Sequence, residues 1–286
     1  MTTNSKLLLF EKIPWNRFKC SKKQLRIDIV LKCGQSFRWE ESGNIWTGVL
    51  QSKVWQIRQE ETWIMYRSLP KLENQDEDEA FLKNYFQLEV DLEPLYAEWS
   101  KNDPVFEKIA ETFGGVRILR QDPVENLFSF ICSSNNNIQR ISGMVQQLCT
   151  HFGQYIGQIE DKDHYAFPEV SALAANEKRL ESELRRLGFG YRAGMSVSFF
   201  VFHKDVLYYH HCAGYISKTA MKLDSLGGRE YLLNLRRLPY TEARKHLLDM
   251  PGIGPKVADC ILLMSLDQHE AIPGKIDFTH LNLQRF

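Results

Sequence analysis

The stretch that most constrains this chain is Leu247-Leu248-Asp249-Met250-Pro251-Gly252-Ile253-Gly254-Pro255-Lys256-Val257-Ala258-Asp259-Cys260. Helix-compatible residues run up to Met250, and a Pro-Gly-Ile-Gly hairpin interrupts them. Pro255 then suits the first turn of a new helix, where its missing N–H costs nothing. The fold must therefore contain two helices joined by a very tight turn. Its glycines, Gly252 and Gly254, let the backbone approach another surface closely. The new helix's free N–H groups and positive dipole end face outward, which is a device for holding phosphate. Such a hairpin is neutral, so it can grip a nucleic-acid backbone without a large net charge.

Lys256 lies in the first turn of the second helix, and Cys260, four residues on, shares its face. A lysine must lose its proton to act as a nucleophile, and partial burial beside a positive helix end favours that loss. A bare P-G-x-G turn would be served as well by a surface lysine on a structural helix–turn–helix. The full string through Cys260 favours the nucleophile.

Composition narrows the setting. Lys plus Arg and Asp plus Glu each number 36 in 286 residues, so a nucleic-acid reader would have to gather its positive charge on one face. The length suffices for one large domain or two ordinary ones with real cores. No stretch is long enough to span a membrane, and Leu7-Leu8-Leu9-Phe10 is too short for a signal peptide, reading instead as a first strand or packing anchor. Cys20, Cys33, Cys132, Cys149, Cys212 and Cys260 form no C-x-x-C pair, which points to free thiols in a reducing compartment and away from a structural zinc or iron–sulfur cluster. No cofactor is expected.

Periodicity divides the chain. Ser36–Trp39, Ile45–Leu50, Val54–Ile57 and Trp63–Tyr66 are aromatic and β-branched, with Gly43-Asn44 as a turn, and predict an antiparallel sheet. An acidic stretch from Glu73 to Glu79 reads as a solvated linker. Beyond it the period approaches 3.6, predicting helices over Phe81–Leu88, Pro104–Phe113, Pro123–Ile131, Ile138–Phe152, Lys178–Leu187, Arg229–Arg237 and Thr241–Met250. The expected architecture is α+β: an N-terminal antiparallel sheet domain with flanking helices over 1–116, and an all-helical domain over 117–286 with its cleft between helical layers.

The hairpin string resembles the helix-hairpin-helix of the eukaryotic 8-oxoguanine DNA glycosylase/AP lyases. Cys33-Gly34-Gln35-Ser36-Phe37-Arg38-Trp39, Tyr85-Phe86-Gln87-Leu88 and Leu119-Arg120-Gln121-Asp122-Pro123 match the same family. So do the more specific Phe128-Ser129-Phe130-Ile131-Cys132-Ser133-Ser134-Asn135-Asn136-Asn137-Ile138 and Leu187-Gly188-Phe189-Gly190-Tyr191-Arg192. The resemblance implies base excision of 8-oxoguanine opposite cytosine from duplex DNA by a monomer, with no metal or cofactor. It implies that Lys256 attacks C1′, expels the base and forms a Schiff base, after which β-elimination nicks the strand. Cys260 then packs against Lys256 in the base pocket, and the Gly34 carbonyl accepts the N7–H that 8-oxoguanine has and guanine lacks. Asn135 fills the gap left by the flipped base. Arg140 and Arg192 contact the orphaned cytosine, and Tyr191 wedges beside it. Read singly, Gly34 is equally a strand bulge, Asn135 to Asn137 a cap-and-turn cluster, and Tyr191-Arg192 a surface pair after a glycine cap. The resemblance also implies the nucleus, or a mitochondrial DNA pool, as the place of work.

Two segments depart from the family. After Pro273 the resemblance implies an Asp two residues on, but Lys275 stands there, with Asp277 four residues on, and the tail 274–286 ends at Phe286 before the family's last helices. Between Ala193 and Gly214, the aromatic stretch 194–213 is an insert. Gly194-Met195 and Gly274-Lys275 can be encoded by codons that begin like splice donors, and Cys212-Ala213-Gly214 by codons that end like an acceptor. Both segments are therefore expected to be introns translated in frame, leaving a catalytically impaired DNA-binding remnant or splice variant as the alternative to an active enzyme. An endonuclease III-like pyrimidine glycosylase is disfavoured by the absent cysteine cluster and by Asn135-Asn136-Asn137. Sequencing of the gene's transcripts is expected to find a spliced form joining Ala193 to Gly214-Tyr215; continuous coding sequence without that form would refute the intron reading.

Overall fold

The computed structural model describes residues 12–70, 75–159, 161–189 and 212–272. The chain forms two compact units, one of Met1–Asp122 with Gln154–Ala166 and one of Pro123–Gly153 with Phe167–Phe286.

The first unit is organised by five antiparallel strands, β1 (Asn16–Lys19), β2 (Glu40–Ser42), β3 (Ile45–Leu50), β4 (Lys53–Gln59) and β5 (Trp63–Leu69), in the order β1-β5-β4-β3-β2. Alternation places Ile64, Tyr66 and Ser68 of β5 on the buried side, the period-two pattern of a half-covered strand. One face packs Phe18, Trp46, Trp55, Ile57, Ile64 and Tyr66 against the short helix α1 (Ile27–Val30), against Leu82 and Tyr85 of helix α2 (Gln75–Tyr85), and against Phe86 just after it. Helices α3 (Leu92–Asn102) and α4 (Pro104–Phe113) follow, with Asp91 and Asp103 accepting from the first-turn amides as N-caps.

Several expectations need correction. Ser36–Trp39 is not a strand: its backbone is irregular and β2 begins only at Glu40. The reason is packing, because the Trp39 ring lies where a Cβ on Gly48 would stand and its Nε1 donates to the Tyr85 hydroxyl at 3.1 Å. The acidic stretch is not simply a solvated linker either. Its residues from Gln75 onward start α2, where Asp76, Glu77 and Asp78 complement the helix's positive end. Asp78 is buried and accepts from Lys53 Nζ at 2.5 Å and from Ser68 Oγ at 2.5 Å. A hairpin of β6 (Tyr155–Ile159) and β7 (Lys162–Tyr165) breaks the run read as wholly helical. It groups with the sheet because Ile159 joins Ile13, Val49 and Val54 in a second apolar cluster. Thus the units divide at Asp122 and at this hairpin, where the sequence reading had one boundary at 117.

The second unit is built around helix α5 (Pro123–Cys132), which is buried at every position but Glu125. A helix buried on nearly every side needs neighbours all round. They are α6 (Ile138–Phe152), α9 (Cys212–Ser225), α10 (Gly228–Leu235) and α12 (Pro255–Ser265). Helices α7 (Val170–Ala174) and α8 (Glu177–Arg186) pack on α9, and α11 (Tyr240–Leu248) lies against α12. Cys212 and Ala213, read as the end of the insert, open α9, and Ala213 is fully buried. The remainder of the insert, with Tyr191 and Arg192, and the tail from Pro273 lie outside the described residues, as does Leu7–Phe10.

Removing one partner of a buried ion pair strands the other charge, at about 3–5 kcal/mol. Asp78→Ala is therefore expected to cost about 3 kcal/mol in equilibrium urea unfolding, because the half-buried Lys53 and the buried Ser68 both lose their carboxylate partner. A loss under about 0.5 kcal/mol would mean that the pair is solvated.

Candidate active site

The hairpin anticipated from sequence is present, and its geometry follows from three side chains of α9. Gly252 adopts φ +77°, a left-handed conformation that favours glycine. A Cβ there would stand 2.5 Å from Tyr215 Cγ, so the turn rests directly on the Tyr215 ring. Thr219 Oγ1 donates to the Pro251 carbonyl at 2.7 Å, and Lys222 Nζ donates to the Asp249 carbonyl at 2.6 Å. Two carbonyls of the turn that follows α11 are thus taken up by α9. Gly254, at φ −88° and ψ 175°, is the N-cap of α12, with Pro255 in the first turn and no side chain capping the helix. Its amides stay available to an anion.

Lys256 is exposed. The partial burial expected for it is not found, because the second residue of α12 points away from the packed side of the helix. One turn on, Cys260 is buried, at 4% exposure. Burial pushes its thiol up to about 11, and the Lys256 charge pulls the other way, which places amine and sulfur within electrostatic reach of each other. Asp259, between them, is buried at 7% exposure. Its Oδ1 accepts from Arg244 Nε at 2.7 Å and from the Tyr240 hydroxyl at 3.2 Å, and Oδ2 from Arg244 Nη2 at 3.5 Å. The hydrogen bond it donates to Asp259 holds the Arg244 guanidinium's pKa above its ordinary value.

The second candidate segment caps the same unit. Asn135 sits at the exposed tip between α5 and α6 with φ +49°. Its neighbours hold it there: Asn136 Nδ2 donates to the Cys132 carbonyl at 2.9 Å, and Asn137 Oδ1 accepts from the Arg140 amide at 2.9 Å as the N-cap of α6. Asn136 and Asn137 are therefore the turn and cap, while Asn135 is presented outward. Arg140 is exposed in the first turn of α6. Tyr191 and Arg192 lie outside the described residues.

Gly34 belongs to the sheet unit. It has φ +85° and follows α1 in a turn, not a strand bulge. The next residue is locked: buried Gln35 donates through Nε2 to the Arg117 carbonyl at 2.8 Å and accepts at Oε1 from the Leu119 amide at 2.9 Å. Gln121 Nε2 donates to the Gln35 carbonyl at 2.6 Å. Sequence reasoning missed Gln35, Tyr215, Thr219, Lys222 and the Asp259 cluster. The i, i+4 spacing of Tyr240 and Arg244, facing an acid one helix later, was the one signal available for that cluster.

Among the described residues no group of three or more His, Cys, Asp or Glu is arranged to hold a metal ion, and no helix is long and apolar enough to cross a membrane. Residues 17–127 match the family described as 8-oxoguanine DNA glycosylase, N-terminal domain. The chain is 35% identical to N-glycosylase/DNA lyase OGG1 of Arabidopsis thaliana over 91% of its own length and 66% of the relative's. It is 34% identical to the N-glycosylase/DNA lyase of Saccharomyces cerevisiae over 93% and 70%. The chain thus spans about two thirds of the length of these relatives. The Clostridium acetobutylicum 8-oxoguanine glycosylase/lyase, solved with double-stranded DNA containing cytosine opposite 8-oxoG, superposes with a TM-score of 0.73 at 26% identity, covering 93% of this chain and 83% of that one. A chain that carries both a sheet-bearing unit and a helix-hairpin-helix unit has the fold of the DNA glycosylase on which it superposes. The chain belongs to the family of OGG1-type N-glycosylase/DNA lyases.

The two hairpin glycines carry different constraints. Gly254→Ala meets nothing within 4 Å and is expected to leave the melting temperature within a few degrees of the parent's. Gly252→Ala combines a left-handed φ with a collision against Tyr215, and is expected to cost about 1–3 kcal/mol in chemical denaturation. Equal tolerance at both positions would contradict the packing of the hairpin on α9.

Proposed function

We propose that this protein is a base-excision DNA repair enzyme, a glycosylase with AP-lyase activity on 8-oxoguanine opposite cytosine in duplex DNA. The observation that carries the reading is the braced hairpin, which presents an uncapped helix N-terminus with Lys256 in its first turn above buried Cys260. The relatives' shared name, N-glycosylase/DNA lyase, supports it. So does the 8-oxoG·cytosine duplex in the Clostridium acetobutylicum complex.

In this reading the hairpin amides near Gly252 and Gly254 hold a backbone phosphate, and the duplex covers the exposed Lys256. The amine's lone pair forms a bond to C1′ as the glycosidic C–N bond breaks and the base leaves with that electron pair. Opening of the sugar ring gives an imine between Lys256 and C1′. Loss of a C2′ proton then expels the 3′ phosphate. Gly34, its carbonyl set by the locked Gln35, reads the N7–H of the damaged base. Cys260 supplies an apolar contact to the base from one turn beyond Lys256. Asn135 enters the stack from its tip, and Arg140, Tyr191 and Arg192 hold the orphaned cytosine. The place of action is the nucleus, with a mitochondrial DNA pool as the other site of the same substrate.

Incubation with an 8-oxoguanine·cytosine duplex and borohydride is expected to trap a covalent protein–DNA adduct, and Lys256→Gln to abolish it while duplex binding persists. Binding without an adduct in the parent chain would overturn the enzymatic reading in favour of a DNA-binding remnant.

A further inference from the structure

We infer that Asp259, clamped by Arg244 and Tyr240, is a positioning residue that sets the roll of α12 and so the aim of the Lys256 amine. This inference rests on the reading of Lys256 as the nucleophile.

Three observations carry it. Asp259 is buried and lies three residues after Lys256, in the part of α12 that follows the hairpin directly. Both of its oxygens are engaged by donors from α11, the helix on the other side of that hairpin. Each donor comes from a rigid group, a planar guanidinium and a phenol, so the contact fixes direction as well as distance. A carboxylate so occupied does not serve as the proton acceptor of the reaction; its role is geometric.

The magnitudes make that role matter. An atom about 8 Å from a helix axis moves about 1.4 Å for a roll of about 10°. A misplacement of about 1 Å at a reacting centre costs on the order of a hundredfold in rate. Apolar side chains of similar volume would hold two helices together as firmly as a buried ion pair does. What they lack is a directional constraint on roll.

The test uses the full chain and the variants Asp259→Asn, Arg244→Gln and Arg244→Lys. Three quantities are measured: the single-turnover rate of borohydride trapping on a saturating 8-oxoguanine·cytosine duplex, the duplex Kd, and hydrogen exchange at the Ile253 and Ala258 amides. Those amides donate to Met250 and Gly254, on either side of the turn. Asp259→Asn and Arg244→Gln are expected to slow trapping about tenfold or more, change the Kd less than about twofold, and quicken exchange at both amides. Arg244→Lys is expected to stay slowed about as much as Arg244→Gln, because a flexible ammonium can reach Oδ1 without fixing its direction. An unchanged trapping rate beside an active parent would overturn the inference. Slowed trapping with unchanged exchange would also overturn it, since Asp259 would then act on the chemistry itself. If the parent traps nothing, the glycosylase/lyase reading falls. Exchange then decides the clamp alone, faster exchange sustaining it and unchanged exchange ending it. Should Asp259→Asn fail to fold, Arg244→Gln, at a half-buried position, carries the same readouts.

Discussion

A helix N-terminus serves a reaction only as well as it is held, and the position of α12 is what this molecule's chemistry depends on. Glycine turns are the softest part of any backbone, because glycine has the most conformational freedom to lose. Here that softness is removed from outside. Thr219 and Lys222 take up the carbonyls of Pro251 and Asp249, and Tyr215 closes the space beside Gly252. At the far end of α12, the Arg236 guanidinium donates through Nε and Nη2 to the Ser265 carbonyl at 3.0 and 2.7 Å. A cation at a helix C-terminus meets both the unpaired carbonyl and the negative dipole end. The helix is therefore fixed at both ends by groups from elsewhere in its unit, from α9 at the hairpin and from the residue that caps α10 at the far end.

The same economy governs the tip at Asn135. A residue aimed outward with positive φ is held only if its neighbours leave no alternative. Asn136 ties the turn back to the end of α5, and Asn137 starts α6. Helix α5 is itself fixed by burial on all sides, so tip and hairpin share one support. Fully buried Phe128 and Leu127 are part of the reason that support does not yield.

The local parts of this arrangement were legible from sequence, and the long-range parts were not. Pro255, Gly252 and Gly254 announce a helix break and restart by covalent geometry alone, and Pro104–Phe113 and Ile138–Phe152 have the bounds their apolar spacing predicts. Helix α3 was missed because Pro94 and scattered charges blur its period. The burial of Asp78 was invisible because composition marks an acidic run as solvated, and only the fold brings Lys53 and Ser68 to it. Asn136 and Asn137 read correctly as turn and cap because those bonds close within a few residues. Gln35 and Asp259 depend on partners far off in the chain, and no local pattern reports such pairs. The exposure of Lys256 follows from which side of α12 meets α5 and α11, a tertiary fact.

Two side chains of nucleophilic type stand one helical turn apart in α12, and the structure separates their roles. The thiolate, not the thiol, is the reactive form of cysteine. With the Cys260 thiol raised to about 11 by burial, the thiolate fraction at pH 7 is about 10⁻⁴. That burial also keeps the sulfur from meeting an electrophile without opening the helix packing. Lys256 is the reverse case, free to reach a substrate and set beside an uncapped helix end. An amine can also carry the reaction beyond the first bond, because only nitrogen can pass from a C1′ adduct to an imine and draw electrons from C2′. The buried thiol is then an apolar wall. Its neutrality matters in turn, since a buried thiolate would need a cationic partner and would draw the Lys256 side chain toward itself and away from a substrate.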